Sequence, residues 1–395
     1  MIGKRDIKNN STFIIKSLLN KDLRTLVIQA GFPYYHSPNL YQWLWVFILL
    51  PFLPEYTLND LSEKHGKELR KLYKILINHP LQFQKLISLL SVPLFFDLLE
   101  DFENADATKQ SRTRLQLIID DTKSEKYGSC MEFIHKLFDS NKKKYMMGYN
   151  YVFVVVASGN FVFPLTVMLW LPKSHVDHRS KNDMVVDFIH DLKNQANNRN
   201  KTLSEVEVTF DSAYCIQKVI QAACIAQLRI ISKPSNNHKF EFAGDELTPT
   251  QIIEKVEANR WKSLDKERFY QRLLVKHHLY GEVVLIVRKK LLKNGKVVYD
   301  VLLCNQLFYN ANRIDKAYKK RWQIEIQFKC YKQYLNLGKS HFRKLGAIQS
   351  QLCCVAIAGL LVALYRRQCR RLISFRDAVK CITCYLFKPK LIYNH

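Results

Sequence analysis

The sequence predicts an α/β protein, a mixed sheet flanked by helices, with an α-helical N-terminal region and a β-containing insertion late in the chain. Three observations lead there. From residue 115 onward, apolar runs of strand length rich in Val and Phe alternate with segments of helical periodicity. Residues 1–110 read as helical. Asn294-Gly295 separates two apolar runs, 282–292 and 297–304, and Asn-Gly between such runs is the strongest short-range hairpin signal.

Taken in order, 115–120 is an apolar strand ending in Asp120-Asp121-Thr122. Residues 149–156 and 161–171 form strands around the turn Ser158-Gly159-Asn160. An amphipathic helix over 182–197 places Met184, Phe188, Ile189 and Leu192 on one side. Strand 206–210 ends at Asp211, helix 212–228 follows, and 229–232 is a short strand. The hairpin belongs to an insertion over about 233–304, and 318–332, free of Gly and Pro, is a helix. Three meandering strands, helix, strand, helix, strand and a late helix is the element order of a ribonuclease-H-like domain. The expected division is therefore an N-terminal helical region over 1–110, a ribonuclease-H-like catalytic domain over 111–366, and a basic C-terminal tail or helix over 367–395. Within the first, 57–76 could form two helices broken at Gly66, with Arg70, Lys71 and Lys74 facing a DNA groove. The acidic, polar stretch 100–112 reads as a linker.

Composition narrows the function. With 395 residues and 48% hydrophobic content the chain can bury a sizeable core. Its 61 Lys+Arg against 35 Asp+Glu give a net charge of +26. The excess is concentrated: 313–344 holds ten basic and two acidic residues, and 366–390 eight and one. Such density favours a polyanion, most simply nucleic acid, over a membrane surface. The ten cysteines show no disulfide framework, and Cys381 and Cys384 form a lone CxxC without a second ligand pair, so reduced thiols of a cytosolic protein are expected. The N-terminus lacks the apolar core of a signal peptide. Apolar runs 43–54 and 352–365 are too short to span a bilayer, and 151–172 is interrupted by its Ser-Gly-Asn turn, so no membrane partner is expected. No Gly-rich phosphate loop is present, which argues against a nucleotide cofactor. His175, Asp177 and His178, and the pair His277-His278, have ligand chemistry but no clear i, i+4 placement.

The most informative segment is 318–332. At about 100° per residue, Tyr318, Arg321, Glu325 and Lys332 fall within about 60° of one helix face. Ala317, Ile324, Phe328, Tyr331 and Leu335 form an adjoining core-facing stripe. The spacing resembles the tyrosine–arginine–glutamate–lysine signature of insertion-sequence DDE transposases, the cut-and-paste type. A β-containing insertion before the last catalytic helix also resembles that class, and the resemblance covers about residues 112–366.

That resemblance implies catalysis by Asp121, Asp211 and Glu325, which would together hold two Mg²⁺ or Mn²⁺ ions. The family pattern puts the catalytic aspartate directly before Thr, favouring Asp121 over Asp120, although a one-residue strand shift would reverse the choice. It further implies that Tyr318, Arg321, Trp322, Lys329 and Lys332 contact DNA, with Trp322 able to stack on a displaced base or simply to pack. The implied partners are double-stranded DNA, as terminal inverted repeats and target, and a second copy of the chain in a homodimer on DNA. A bacterial cytoplasmic location, on the nucleoid when DNA-bound, goes with it. A stand-alone nuclease on the same scaffold and a catalytically inactive DNA-binding relative are the alternatives.

Overall fold

The computed structural model of the chain describes residues 23–33, 47–48, 50–52, 69–106, 114–127, 130–139, 142–256, 260–339, 342–369 and 372–386. The twelve strands among these residues form one hydrogen-bonded sheet. The central part comprises β1 (Leu115–Glu125), β2 (His135–Asp139), β3 (Lys144–Ser158), β4 (Phe161–Trp170), β5 (Glu207–Phe210) and β6 (Arg229–Ser232). β3 runs antiparallel to β1, β2 and β4, whereas β5 lies parallel to β1 and β6 parallel to β5. The Val- and Phe-rich run 151–172 is therefore two buried strands joined at Gly159 and Asn160, as its composition predicts. The segment expected as an insertion adds β7 (Phe240–Phe242), β8 (Asp245–Leu247), β9 (Lys262–Ser263), β10 (Arg268–His277), β11 (Gly281–Leu291) and β12 (Val297–Cys304). β12 pairs antiparallel with β6, so the insertion extends the central sheet.

Helices cover both faces. The described N-terminal helices are α1 (Leu23–Ala30), α2 (Leu69–Asn78) and α3 (Pro80–Glu103). α4 (Lys181–Asn197) and α5 (Gln217–Ile225) connect central strands, and α6 (Pro249–Val256) lies in the insertion. α7 (Ala311–Lys320), α8 (Trp322–Tyr334), α9 (Leu345–Gln368) and α10 (Phe375–Leu386) follow.

Strand alternation divides the core. Ile118, Tyr151, Phe153 and Val155 point to one face and pack with α8 and α9 through Ile324, Phe328, Tyr331 and Val355. Leu117, Ile119, Val152 and Val154 point to the other, against Val185 and Ile189 of α4, Val219 of α5, and Phe95 and Leu99 of α3. The buried positions of α4 are Val185, Ile189, Leu192 and Ala196; Met184 and Phe188 are only half-buried, so its inner face is rotated slightly from the predicted stripe.

Several boundaries differ from those read along the chain. Residues 100–103 of the expected linker complete α3, whose core side chains sit under the sheet. The helix after Asp211 starts at Gln217, because the Asp211 carbonyl first accepts the amides of Tyr214 and Cys215 in a tight turn. α9 has 24 residues and is long and apolar enough to cross a membrane, unlike the shorter run 352–365. Its side chains are buried nearly all round, however, as in a core helix of a globular protein. Of the proposed helix pair over 57–76, the first member and Gly66 lie outside the described residues, as do the side chains of Arg70 and Lys71. Lys74 is exposed on α2.

Candidate active site

The carboxylates are positioned by strand register. In the parallel pair, Leu117 lies opposite Val208 and Ile119 opposite Phe210, all four in the same core. One step further, Asp211 leaves the end of β5 beside Asp120, which lies within β1 because that strand continues to Glu125 rather than ending at the two aspartates. Both turn to the face opposite Ile119 and Phe210, where α8 packs, because successive strand residues alternate. Asp121, one residue on, turns the other way.

The structure places Asp121, the aspartate expected at the centre, on the α4 side of the sheet. Its Oδ1 accepts hydrogen bonds from Lys181 Nζ at 2.8 Å and the Tyr214 hydroxyl at 2.9 Å, on the α4 side. Asp120 is the aspartate that meets the α8 helix. Arg321 donates from Nη1 to Asp120 Oδ2 at 2.7 Å and from Nη2 to Glu325 Oε1 at 2.7 Å. One guanidinium therefore spans two carboxylates, the first of them 201 residues away in the chain. Asp211 sits in the turn after β5, its Oδ1 accepting the Ala213 amide at 2.9 Å.

Burial pushes the Asp120 carboxyl up to about 7, and the neighbouring Asp211 charge adds to the rise while Arg321 opposes it. A buried carboxylate beside another, with one shared cation, is under-compensated. All the donors at this centre are hard carboxylate oxygens, the set that Mg²⁺ and Mn²⁺ take. Among the described residues, no three Asp, Glu, His or Cys side chains already converge on a metal-sized site. Arg321 stands between Asp120 and Glu325, so metal entry would require its guanidinium to swing aside.

The signature segment is not one helix. α7 ends at Lys320 and α8 begins at Trp322, and at the joint the Arg321 amide bonds back to the Tyr318 carbonyl, a tight i→i−3 turn. The predicted core stripe is buried, but the joint divides it. Ala317 packs under the insertion strands, and Ile324, Phe328, Tyr331 and Leu335 pack against the central sheet. Gln116, buried on β1, donates to the Ala317 carbonyl at 2.9 Å and to Thr209 Oγ1 at 3.2 Å, and so pins the end of α7 to the strands that carry Asp120 and Asp211. Nothing in a lone glutamine signals that role in the sequence, and the same is true of Lys181 and Tyr214.

The expected DNA-contacting residues divide in two. Trp322 is 60% exposed and Lys329 is also exposed on α8. Tyr318 lies among the guanidinium groups of Arg288 and Arg321, 5.6 and 5.8 Å from its ring centre. Lys332 donates to the Lys123 carbonyl on β1 at 2.9 Å, and burial holds its ammonium below the usual lysine range. The weaker metal candidates are engaged elsewhere. His178 contacts the Leu171 carbonyl and His277 stacks on Tyr280, while Cys381 and Cys384 are free thiols on α10.

Two carboxylates bridged by one arginine, with a third just past the end of the neighbouring strand, on a protein of charge +26, have the chemistry of a centre that handles phosphodiesters through hard cations. The chain belongs to the family described as "Transposase DDE domain", whose model matches residues 111–361. It is thus an insertion-sequence DDE transposase by family, and members of that family use divalent metal ions and act on DNA. No curated protein matches the chain. Among solved structures, one described as the NurA nuclease from Sulfolobus solfataricus is 10% identical, with 64% of this chain and 86% of that chain covered. Its TM-score of 0.23 is too low for the likeness to carry any argument.

Proposed function

We propose that the protein cleaves DNA at the ends of its own element and joins the freed 3′ ends to target DNA, a cut-and-paste reaction. In this reading Asp120, Asp211 and Glu325 hold two divalent ions on a ribonuclease-H-like sheet. The strand order β4-β3-β1-β5-β6 and the meander that precedes it support that fold assignment. Such ions supply the activated water or 3′-hydroxyl and neutralise charge gathering at phosphorus. The observation carrying the proposal is the meeting of Asp120 and Glu325 on one arginine, beside Asp211 at the neighbouring strand end.

The chain's own groups then have distinct tasks. Arg321 compensates two half-buried carboxylates in the resting protein and has a planar fork able to grip two phosphate oxygens when released. Tyr318, held between guanidinium groups, lines the approach to the same centre. Trp322 presents an open indole face on which a displaced base could stack. Lys332 ties the far end of α8 to β1, which keeps Glu325 over the strand that carries Asp120. Lys329 faces solvent, where it can neutralise a phosphate. Pairing of two element ends calls for a homodimer on DNA, and this activity places the protein in the cytoplasm on the nucleoid.

The test uses the purified protein, Mg²⁺, and duplexes carrying the inverted repeats read from the DNA flanking the gene. Asp120→Asn, Asp211→Asn and Glu325→Gln should each lower cleavage by at least about 10³-fold, whereas Asp121→Asn should lower it by less than about tenfold. Loss with Asp121→Asn and retention with Asp120→Asn would return the ligand role to Asp121. Cleavage without joining of a pre-cut end would instead mark a stand-alone nuclease.

A further inference from the structure

The hairpin formed by β2 and β3 carries an inverted surface. On its inner face Leu137 and Met146 are directly paired and buried. The outer face would ordinarily be polar. It carries instead Phe138, 48% exposed, directly across from Tyr145, 62% exposed, with Met147, 44% exposed, opposite Lys136. The Phe138 and Tyr145 ring centres are 5.2 Å apart, and the Lys136 ammonium lies 4.4 Å from the Tyr145 ring centre.

Strand parity shows where this face looks. On β3, residues 149, 151, 153 and 155 point to the α8 side of the sheet, and Phe153 is the strand partner of Asp120. Tyr145 and Met147 are in phase with them. The exposed rings thus continue the face that bears Asp120, about 26 Å further along β3 at about 3.3 Å per residue. Lysines bridge the interval. Lys332 of α8 caps the Lys123 carbonyl, Lys123 Nζ donates to the Phe138 carbonyl at 2.8 Å, and Lys142 pairs with Glu125 at 3.4 Å.

We infer that this hairpin face is a DNA-strand grip that stacks unpaired bases on Tyr145 and Phe138 while Lys136 and neighbouring lysines meet the phosphates. The inference rests on the DNA-acting reading and adds a surface to it. Duplex backbones are held by polar and cationic groups, whereas solvent-open aromatic rings with lysines suit exposed bases. At about 3.4 Å per nucleotide along a strand, the grip lies roughly seven or eight nucleotides from the reacting phosphate.

The test is fluorescence anisotropy with a labelled 30-nucleotide single strand of mixed sequence and with the same strand as a duplex. Phe138→Ala/Tyr145→Ala should weaken single-strand binding at least tenfold and duplex binding less than threefold, with an unchanged melting temperature because both rings are already half-exposed. Lys136→Gln should weaken single-strand binding and flatten its salt dependence. A double variant that matches wild type on both probes, or loses both equally, overturns the grip. Unchanged DNA binding with a lower molecular mass by light scattering would assign the face to a second copy of the chain and also overturn it. Wild-type protein that binds neither probe would refute DNA handling as a whole, a result separable from the others.

Discussion

Asp120 and Asp121 are adjacent residues of one type, yet their surroundings differ in kind. Asp121 accepts from a lysine and a tyrosine, whereas Asp120 faces another carboxylate and shares its arginine with a third. In the folded chain Asp120 is raised from its ordinary value to about 7. Its contribution to stability is therefore present at acid pH and lost as pH rises through about 7, where the charged form is left under-compensated. Without divalent ions, Asp120→Asn should raise the melting temperature most at pH 8, less at pH 5, and little below about pH 4. Millimolar Mg²⁺ should stabilise the wild type by on the order of 2 kcal/mol through mass action and leave the variant nearly unmoved. Calorimetry with and without EDTA checks this, and an equal Mg²⁺ response in both proteins would remove Asp120 from the metal site.

At the scale of elements, the site depends on how α8 lies between the sheet and α9. Gly359 of α9 faces Tyr331 of α8 so closely that an added Cβ would stand 2.5 Å from the tyrosine oxygen and 2.6 Å from Cζ. Tyr331 is fully buried and cannot yield. Gly359→Ala gains helix propensity of about 1 kcal/mol, but the overlap outweighs it. The expected result is a net loss of about 1–3 kcal/mol in urea unfolding, together with slower cleavage as Glu325 shifts. The Tyr331 hydroxyl has no hydrogen-bond partner among the described residues, so Tyr331→Phe should be neutral or stabilising. The insertion hairpin shows a similar local rule. Only Gly295 in its turn has a positive φ, 76°, while Asn294 does not, so the loop is a type I turn closed by a glycine bulge.

For the whole molecule, the insertion is fastened to the site loop by a relay of two histidines. The Leu279 amide donates to His277 Nδ1 at 3.2 Å, His277 Nε2 lies 3.4 Å from His238 Nδ1, and His238 Nε2 lies 2.5 Å from the Cys215 carbonyl. With His277 and His238 each carrying a proton on Nε2, every contact pairs a donor with an acceptor. A further proton would set N–H against N–H. Burial, with the neighbouring imidazoles, accordingly lowers His277 to about 4. For a depressed histidine the stability is present above about 6.5 and is lost as pH falls toward 4. Hydrogen exchange of β10 should therefore accelerate between pH 6 and pH 4.5 in the wild type and much less in His277→Gln. An equal acceleration in both would show that the relay is not the acid-sensitive joint.

Much of this architecture was legible along the chain. Apolar runs 149–156, 161–171 and 229–232 became β3, β4 and β6, and Asn294-Gly295 marked its hairpin, because period-2 apolar patterning and turn chemistry are local properties. The stripe Ile324, Phe328, Tyr331 and Leu335 is likewise buried. The spacing from Tyr318 to Lys332 also singled out the segment that meets Asp120. The sequence alone did not show the bend at Arg321, the pinning of α7 by Gln116, or the base of the histidine relay at Cys215. The pinning joins residues 201 apart and the relay residues 23 and 39 apart, and no local pattern encodes either. The choice between Asp120 and Asp121 is the plainest case. One residue of strand phase turns a side chain to the opposite face of a sheet, and only the pairing of β1 with β5 and the packing of α8 decide which of the two aspartates meets Arg321.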